Sequence, residues 1–195
     1  MQTRRKADTE PSHGRDDRIR VAYHEAGHAV MAWLMEQRTL VATILPDDET
    51  SGQVSIVVSN CETVLDYYRD QIMIFIAGDA VELTFLDPPT EGFTKADLWN
   101  VLRRIELMEI LTRGDCPQKV YDCLDSEDPP DFPNGLLERL LEKHRGEFEP
   151  FLEEAMDILN EESKAVEAVA QALLSNGSLS GEEIGAVIDE IIWSQ

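Results

Sequence analysis

Val21-Ala22-Tyr23-His24-Glu25-Ala26-Gly27-His28-Ala29-Val30 is the stretch that decides the fold of this chain. Apolar residues recur around it at spacings of three and four, which predicts an α-helix over about residues 18–37. In such a helix His24 and His28 lie one turn apart and leave the same face. The flanking residues are apolar rather than charged, so we expect this helix to be buried.

The spacing of the two histidines is typical of a metal site. Two imidazole nitrogens one turn apart can bind the same tetrahedral zinc ion at about 2.0–2.1 Å. Glu25 falls beside that ion, where it can take a proton from an attacking water molecule. Two surface histidines with a solvated glutamate are the alternative, which the apolar flanks disfavour. The pattern predicts one zinc ion per chain, bound by His24 and His28, with Glu25 as catalytic base.

Gly27 lies in the middle of this predicted helix. Glycine at such a position costs about 1 kcal/mol relative to alanine. Close approach of a neighbouring backbone, or of the metal, would explain why it is there.

Length, charge and cysteine content indicate which partners and which cellular location to expect for this chain. The 195 residues suffice for one sizeable core, and 17 Lys and Arg against 39 Asp and Glu give a formal net charge of −22. An acidic surface repels phosphates, so we expect neither nucleic acid nor an anionic membrane as partner. No run reaches the about 18–20 apolar residues that span a bilayer, and three cysteines at irregular spacing form no disulfide framework. A cytoplasmic protein without membrane insertion is therefore expected.

The chain divides into four predicted parts. Residues 1–17 are polar and read as a flexible arm. Residues 18–114 hold the zinc-binding catalytic lobe, and residues 115–135, with four prolines and an acidic run, read as a loop. Residues 136–195 carry a long apolar stripe and form a C-terminal helical lobe.

Local signals place the ends of the C-terminal helices. The first helical stretch runs from Leu136 to about Ser175, with a break expected near Gly146 or Pro150. Ser180 followed by Glu183 has the form of a capping box that opens a last helix.

Two β-branched runs, residues 39–45 and 53–59, follow the zinc helix and predict a hairpin or two neighbouring strands. An extended substrate could add to the second strand through main-chain hydrogen bonds, which would bring its scissile bond to the metal. The substrate-binding residues would then be Gln53, Val54, Ser55 and Ile56. A strand that only packs on the helix is an equally open alternative.

Two acidic residues compete for the role of third zinc ligand. Glu82 interrupts the apolar end of a helix predicted over residues 62–85, so it could bind zinc, accept a hydrogen bond from a ligand histidine, or lie exposed at the helix end. Asp97 follows Thr94 as in a capping box that opens the next helix. Asp97 could complement the helix dipole or bind zinc, because a catalytic site needs three protein ligands.

Taken in order, these pieces resemble the peptidase domain of the FtsH family of ATP-dependent zinc metalloproteases, over about residues 20–195. The resemblance rests on the zinc helix, on Thr43-Ile-Leu-Pro46 followed by Gly52 and a strand, on Gly78-x-Ala-x-Glu82, on Asp97-Leu98, and on residues 158–174 and 180–184 in the C-terminal helices.

The resemblance implies a mainly α (α+β), zincin-like fold. It would have a two- or three-stranded sheet beside the zinc helix and a C-terminal helical bundle. It also implies His24, His28 and Asp97 as zinc ligands, Glu25 as catalytic base, and Glu82 as a residue that supports the ligands without binding zinc.

This chain departs from the family pattern in three ways. The family's Thr-Thr-Gly-Ala-Ser-Asn-Asp becomes Thr90-Glu-Gly-Phe-Thr-Lys-Ala-Asp97, with one extra residue before the aspartate. Asp79 stands where the family has arginine. The family's membrane helices and its ATPase module, with the sequence Gly-x-x-x-x-Gly-Lys-Ser/Thr, are missing from these residues.

We therefore expect a zinc metalloendopeptidase that hydrolyses peptide bonds in unfolded proteins or peptides without an ATPase of its own. A separate ATPase or a homo-oligomer are its expected protein partners. The alternative is a non-proteolytic zinc-binding module for interaction or regulation, which the altered loop before Asp97 favours and the retained Glu25 disfavours. A His-Glu-x-x-His peptidase of another family, with Glu82 as ligand, is a third interpretation.

Overall fold

The structure is a computed structural model that describes residues 13–46, 51–58, 61–89, 93–114 and 135–192. Its elements are, in order, α1 (His13–Leu34), β1 (Arg38–Thr43), β2 (Gln53–Val57), α2 (Val64–Phe85), α3 (Lys95–Arg113), α4 (Leu136–Lys143), α5 (Arg145–Glu161), α6 (Ser163–Asn176), β3 (Ser178–Ser180) and α7 (Gly181–Ile192). Helices dominate, so the predicted mainly α fold with a small sheet is confirmed.

Helix α1 lies at the centre of the core and packs against α2 and α6. Its small and branched apolar residues are fully buried, namely Ala22, Ala26, Ala29 and Val30. A methyl group on Gly27 would lie 2.5 Å from the carbonyl oxygen of Ala77 in α2. Glycine at this position therefore allows the two helices to approach closely, as predicted.

The strands form an antiparallel sheet in the order β2-β1-β3 within the described residues. Ala42 of β1 pairs with Val54 on one side and with Leu179 on the other. The register shifts between Thr39 and Val41. β2 is an edge strand of this sheet, and both β1 and β2 contact α1.

Helix α2 carries most of the surface that faces α1 and begins with a capping box. The Thr63 N–H donates to Asp66 Oδ2 at 3.0 Å, and the Asp66 N–H donates to Thr63 Oγ1 at 3.1 Å. The second half of α2 is almost entirely buried between α1, α3 and α5. This burial places Glu82, near the end of α2, inside the molecule rather than at its surface.

The boundaries of α1 differ from the prediction at both ends. The helix begins at His13 rather than near Asp17, so only residues 1–12 of the predicted arm lie outside the described residues. The helix ends at Leu34 because Glu36 takes a positive φ of 56°, which stops it before β1.

The C-terminal half forms separate helices where one long stretch was predicted. The breaks fall at His144 and Glu162. The break expected near Gly146 is therefore confirmed, whereas Pro150 lies inside α5 and does not interrupt it. The proline lies in the second turn, where it removes one intrahelical hydrogen bond. Apart from its last residue, the predicted loop over residues 115–135 lies outside the described residues.

Among the helices that the structure describes, none combines the length and the apolar character that crossing a membrane requires.

Candidate metal centre

His28 on α1 presents one ring nitrogen to a shared point inside the molecule. Its side chain is buried, and its Nδ1–H donates to the Ile74 carbonyl oxygen of α2 at 2.7 Å. Because a carbonyl only accepts, the proton of the neutral ring is fixed on Nδ1. Nε2 is left with a free lone pair, which is the form that binds a metal.

His24 is held in the same way by a carboxylate. Its Nδ1 lies 2.9 Å from Glu82 Oε1. Glu82 is 2% exposed and accepts hydrogen bonds from Arg20 Nη1 at 3.2 and 3.4 Å. Glu82 therefore contacts the side of the ring that faces away from His28 and turns His24 Nε2 toward it.

Asp97, in the first turn of α3, completes the group. Its Oδ2 lies 3.1 Å from His24 Nε2 and 3.6 Å from His28 Nε2, and the two Nε2 atoms lie 3.1 Å apart. The structure thus brings together His24, His28 and Asp97, two residues from one helix and one from another.

This triangle of atoms has the dimensions of one face of a zinc site. Ligands at about 2.0–2.1 Å from a tetrahedral zinc ion lie about 3.3–3.4 Å from one another. The three observed separations of 3.1, 3.1 and 3.6 Å bracket that value. Three polar atoms can converge at this distance when a proton or a metal ion lies between them, and their separations fit zinc.

The electrostatics of the group also favour a cation. Burial would lower the pKa of His24, but hydrogen bonds to Asp97 and Glu82 outweigh it and raise this pKa to about 10. The pKa of His28 is also raised, because the attraction of Asp97 outweighs burial. Burial opposes ionisation of Asp97, yet His28 and His24 hold its pKa well below its usual range. The carboxylates therefore stabilise positive charge on the histidines, and a bound metal ion would displace the protons that carry it.

Glu25 lies next to this group on α1 and is 6% exposed. It lines the same cavity as the two histidines, and a methyl group on Gly52 would lie 2.6 Å from its Oε1. Burial raises the pKa of Glu25 above its ordinary value, against the opposing effect of both histidines. A carboxylate with a raised pKa accepts a proton more readily, which suits a general base.

The cavity over the site has a volume of about 550 Å³ and runs along β2. Of the four strand residues predicted to bind substrate, Gln53, Val54 and Ile56 line it and Ser55 does not. Ile74 and Phe75 of α2 form part of the opposite wall. The three candidate ligands therefore line the same cavity as residues of the edge strand β2 and of α2.

Gly78 has a role in the site that the sequence interpretation did not assign. A methyl group on its backbone would lie 2.6 Å from His24 Nε2 and 2.7 Å from His28 Nε2. Only glycine leaves room there for both imidazoles. The signal was its position one turn before Glu82, which puts the two residues on the same face of α2.

The sequence interpretation also assigned no role to Asp79, which contacts the N-terminus of α3 where a capping box was predicted. Thr94 is the N-cap of α3, but its side chain makes no capping hydrogen bond, so the predicted capping box of Thr94 and Asp97 is wrong. Asp97 points to the histidines instead. The Thr94 N–H donates to Asp79 Oδ1 at 3.0 Å. Burial raises the pKa of Asp79 to about 6, although this hydrogen bond opposes the shift.

The amino-acid sequence is similar to those of known zinc metalloproteases. Residues 13–108 match the model of peptidase family M41. An ATP-dependent zinc metalloprotease FtsH of Acidimicrobium ferrooxidans is 26% identical over 197 residues, covering 90% of this chain and 28% of that protein. An ATP-dependent zinc metalloprotease FtsH of Thermus thermophilus is 29% identical over 194 residues, covering 90% of this chain and 29% of that protein.

The matched region contains α1, β2, α2 and most of α3, which are the elements that carry the candidate metal ligands and line their cavity. This chain spans less than a third of the length of these relatives. The similarity extends beyond the matched region into the C-terminal helices, as the 90% coverage requires. The chain therefore belongs to peptidase family M41, as an FtsH-family peptidase domain.

Proposed function

We propose that this chain is a zinc-dependent metalloendopeptidase that hydrolyses peptide bonds in unfolded proteins or peptides. The observation that carries the proposal is the triangle formed by His24 Nε2, His28 Nε2 and Asp97 Oδ2, which opens onto the same cavity as the Glu25 carboxylate. A structural zinc site has no use for such a carboxylate, and it normally has four protein ligands.

In this proposal His24, His28 and Asp97 would hold one zinc ion. When bound, zinc polarises a substrate carbonyl and lowers the pKa of water. Glu25 takes a proton from the water molecule whose oxygen attacks the carbonyl carbon. The carbon–oxygen bond forms, the carbon–nitrogen bond breaks, and Glu25 delivers the proton to the leaving amine.

The edge strand β2 supports an extended substrate. Its outer side is unpaired within the described sheet, so a substrate backbone can add to it as a further strand. Gln53, Val54 and Ile56 face the cavity, and Ser55 would contribute only its backbone. Only a chain without its own secondary structure can pair in this way, which is why unfolded proteins or peptides are the proposed substrates.

The relatives are named as ATP-dependent proteases, and these 195 residues contain no Gly-x-x-x-x-Gly-Lys-Ser/Thr. Any ATP-driven unfolding would therefore come from a separate ATPase or from a segment outside these residues. Assembly into a homo-oligomer is the other partnership we propose. The free Cys61 suits a reducing cytoplasm, where we place this activity.

The test is zinc content together with cleavage of an unfolded protein such as casein. We expect one zinc per chain in both the wild type and Glu25→Gln, with cleavage by the wild type only. Zinc in both proteins with cleavage in neither would favour the non-proteolytic zinc-binding module. A folded wild type that binds no zinc would contradict the proposal as a whole.

A further inference from the structure

Asp79 is a buried carboxylate without a role in the chemistry described above. It follows Gly78 in α2 and is 4% exposed. A buried carboxylate is costly unless it accepts hydrogen bonds. Here the donor is a backbone group of another element, the N–H of Thr94 at 3.0 Å.

Thr94 connects this contact to the metal centre. It is the N-cap of α3, and its carbonyl oxygen accepts the Leu98 N–H at 2.9 Å, which closes the first turn of the helix. Asp97 lies within that turn. Any force that fixes the Thr94 backbone therefore also fixes the direction in which the Asp97 side chain leaves the helix.

The position of Asp97 is sensitive to this contact. The ligand distances of a proposed metal site should lie within about ±0.2 Å of their usual values. Even a small displacement of the α3 N-terminus would therefore take Asp97 out of the metal triangle.

We propose that Asp79 is a positioning residue, which binds the Thr94 N–H and so holds the N-terminus of α3 where Asp97 reaches the two histidines. The inference rests on the zinc site proposed above. It assigns to Asp79 a contact that fixes the start of α3, and no part in the reaction itself.

The first experiment measures zinc affinity by chelator competition in Asp79→Ala and Asp79→Asn. The asparagine side chain can still accept the Thr94 N–H through its oxygen, whereas alanine cannot. We expect Asp79→Ala to lose about 10- to 100-fold in zinc affinity, the range typical of residues that support metal ligands. Asp79→Asn should stay close to the wild type. Equal losses in both would mean that charge alone matters and would overturn the proposal.

A matched pair at Thr94 removes the donor instead of the acceptor. Thr94 has φ of −60°, which lies in the range that proline adopts, so Thr94→Pro deletes the N–H without straining φ at this position. Thr94→Ala keeps the N–H and removes a side chain that makes no capping bond. We expect Thr94→Pro to lose zinc affinity as Asp79→Ala does, and Thr94→Ala to retain it. If the two variants bind zinc equally well, the proposal is wrong.

Amide hydrogen exchange in the metal-free protein supplies a readout that does not depend on zinc. The Thr94 amide should be protected in the wild type and in Asp79→Asn and exposed in Asp79→Ala, with circular dichroism unchanged. Should Asp79→Ala fail to fold, the Thr94 pair decides. A wild type without zinc would defeat the proposed function. If the wild type binds zinc and Asp97→Ala does not, but Thr94→Pro binds like the wild type, only the role of Asp79 fails.

Discussion

The N-termini of α3 and α7 carry the same kind of sequence and use it differently. At α7, the Ser180 N–H donates to Glu183 Oε2 at 2.7 Å and the Glu183 N–H donates to Ser180 Oγ at 3.3 Å, which is a complete capping box. At α3, Thr94 and Asp97 have the same spacing, but Asp97 turns away toward His24.

The two carboxylates differ in the hydrogen-bond partners that lie within their reach. Glu183 is exposed, and the backbone beside it is the best partner within reach. Asp97 faces two buried imidazoles, and a charge-assisted contact in a buried site is stronger than a capping bond at the surface. A carboxylate at the third position of a helix therefore caps its own helix only when no stronger partner lies across from it.

The largest expected effect on the contrast between α3 and α7 comes from a substitution that fills the space occupied by the two histidine rings. Gly78→Ala places a methyl group 2.6 and 2.7 Å from the Nε2 atoms of His24 and His28, so at least one ring must move. We expect zinc binding to be lost, together with about 1–3 kcal/mol of stability from overpacking. Gly146→Ala is the matched control, because a methyl group there meets no atom within 4 Å. Stoichiometric zinc in Gly78→Ala would show that the site is looser than described.

The next effect separates the two carboxylates near His24. Asp97→Ala removes an atom of the metal triangle, so stoichiometric zinc should be lost. Glu82→Ala removes only the group behind His24 Nδ1, and zinc affinity should fall by about 10- to 100-fold. Zinc measured by atomic absorption after dialysis, and affinity by chelator competition, give the order. The reverse order would make Glu82 the third ligand.

A smaller effect compares a glycine that contacts a neighbouring helix, Gly27 in α1, with a glycine that has free space around it, Gly185 in α7. Gly27→Ala puts a methyl group 2.5 Å from the Ala77 carbonyl oxygen, and we expect a loss of about 1–3 kcal/mol in the free energy of unfolding. Gly185→Ala in α7 meets no neighbour within 4 Å and should instead stabilise by about 0.4–1 kcal/mol. Urea unfolding of both variants gives the two values, and effects of the same sign would refute the distinction.

Features that depend on residues close together in the chain could be predicted from the sequence. His24 and His28 share a helix, so their common face follows from helix geometry, and the capping box of Ser180 and Glu183 involves neighbours in the chain. The position of Asp97 depends on how α3 packs, and no local pattern contains that information. The contact of Asp79 with Thr94 joins two helices and was missed for the same reason.

The third strand and the close approach at Gly78 also depend on contacts between residues that are distant in sequence. Ser178–Ser180 is too short to show an alternating pattern, and it becomes a strand because β1 pairs with it. Gly78 could be recognised as part of a motif, but its reason is the position of two side chains from α1. In both places the partner that decides the structure is distant in sequence.

The smallest effect is a pH dependence at α7. The backbone and hydroxyl of Ser180 lower the pKa of Glu183 in the folded state. A lowered folded pKa contributes stability above the unfolded pKa, and this contribution is lost as the pH falls through the folded pKa. Glu183→Gln should therefore be slightly less stable than the wild type at pH 7, and the two urea midpoints should converge in acid. A difference that persists at low pH would mean that the carboxylate charge is not what caps α7, and its contrast with Asp97 would then rest on geometry alone.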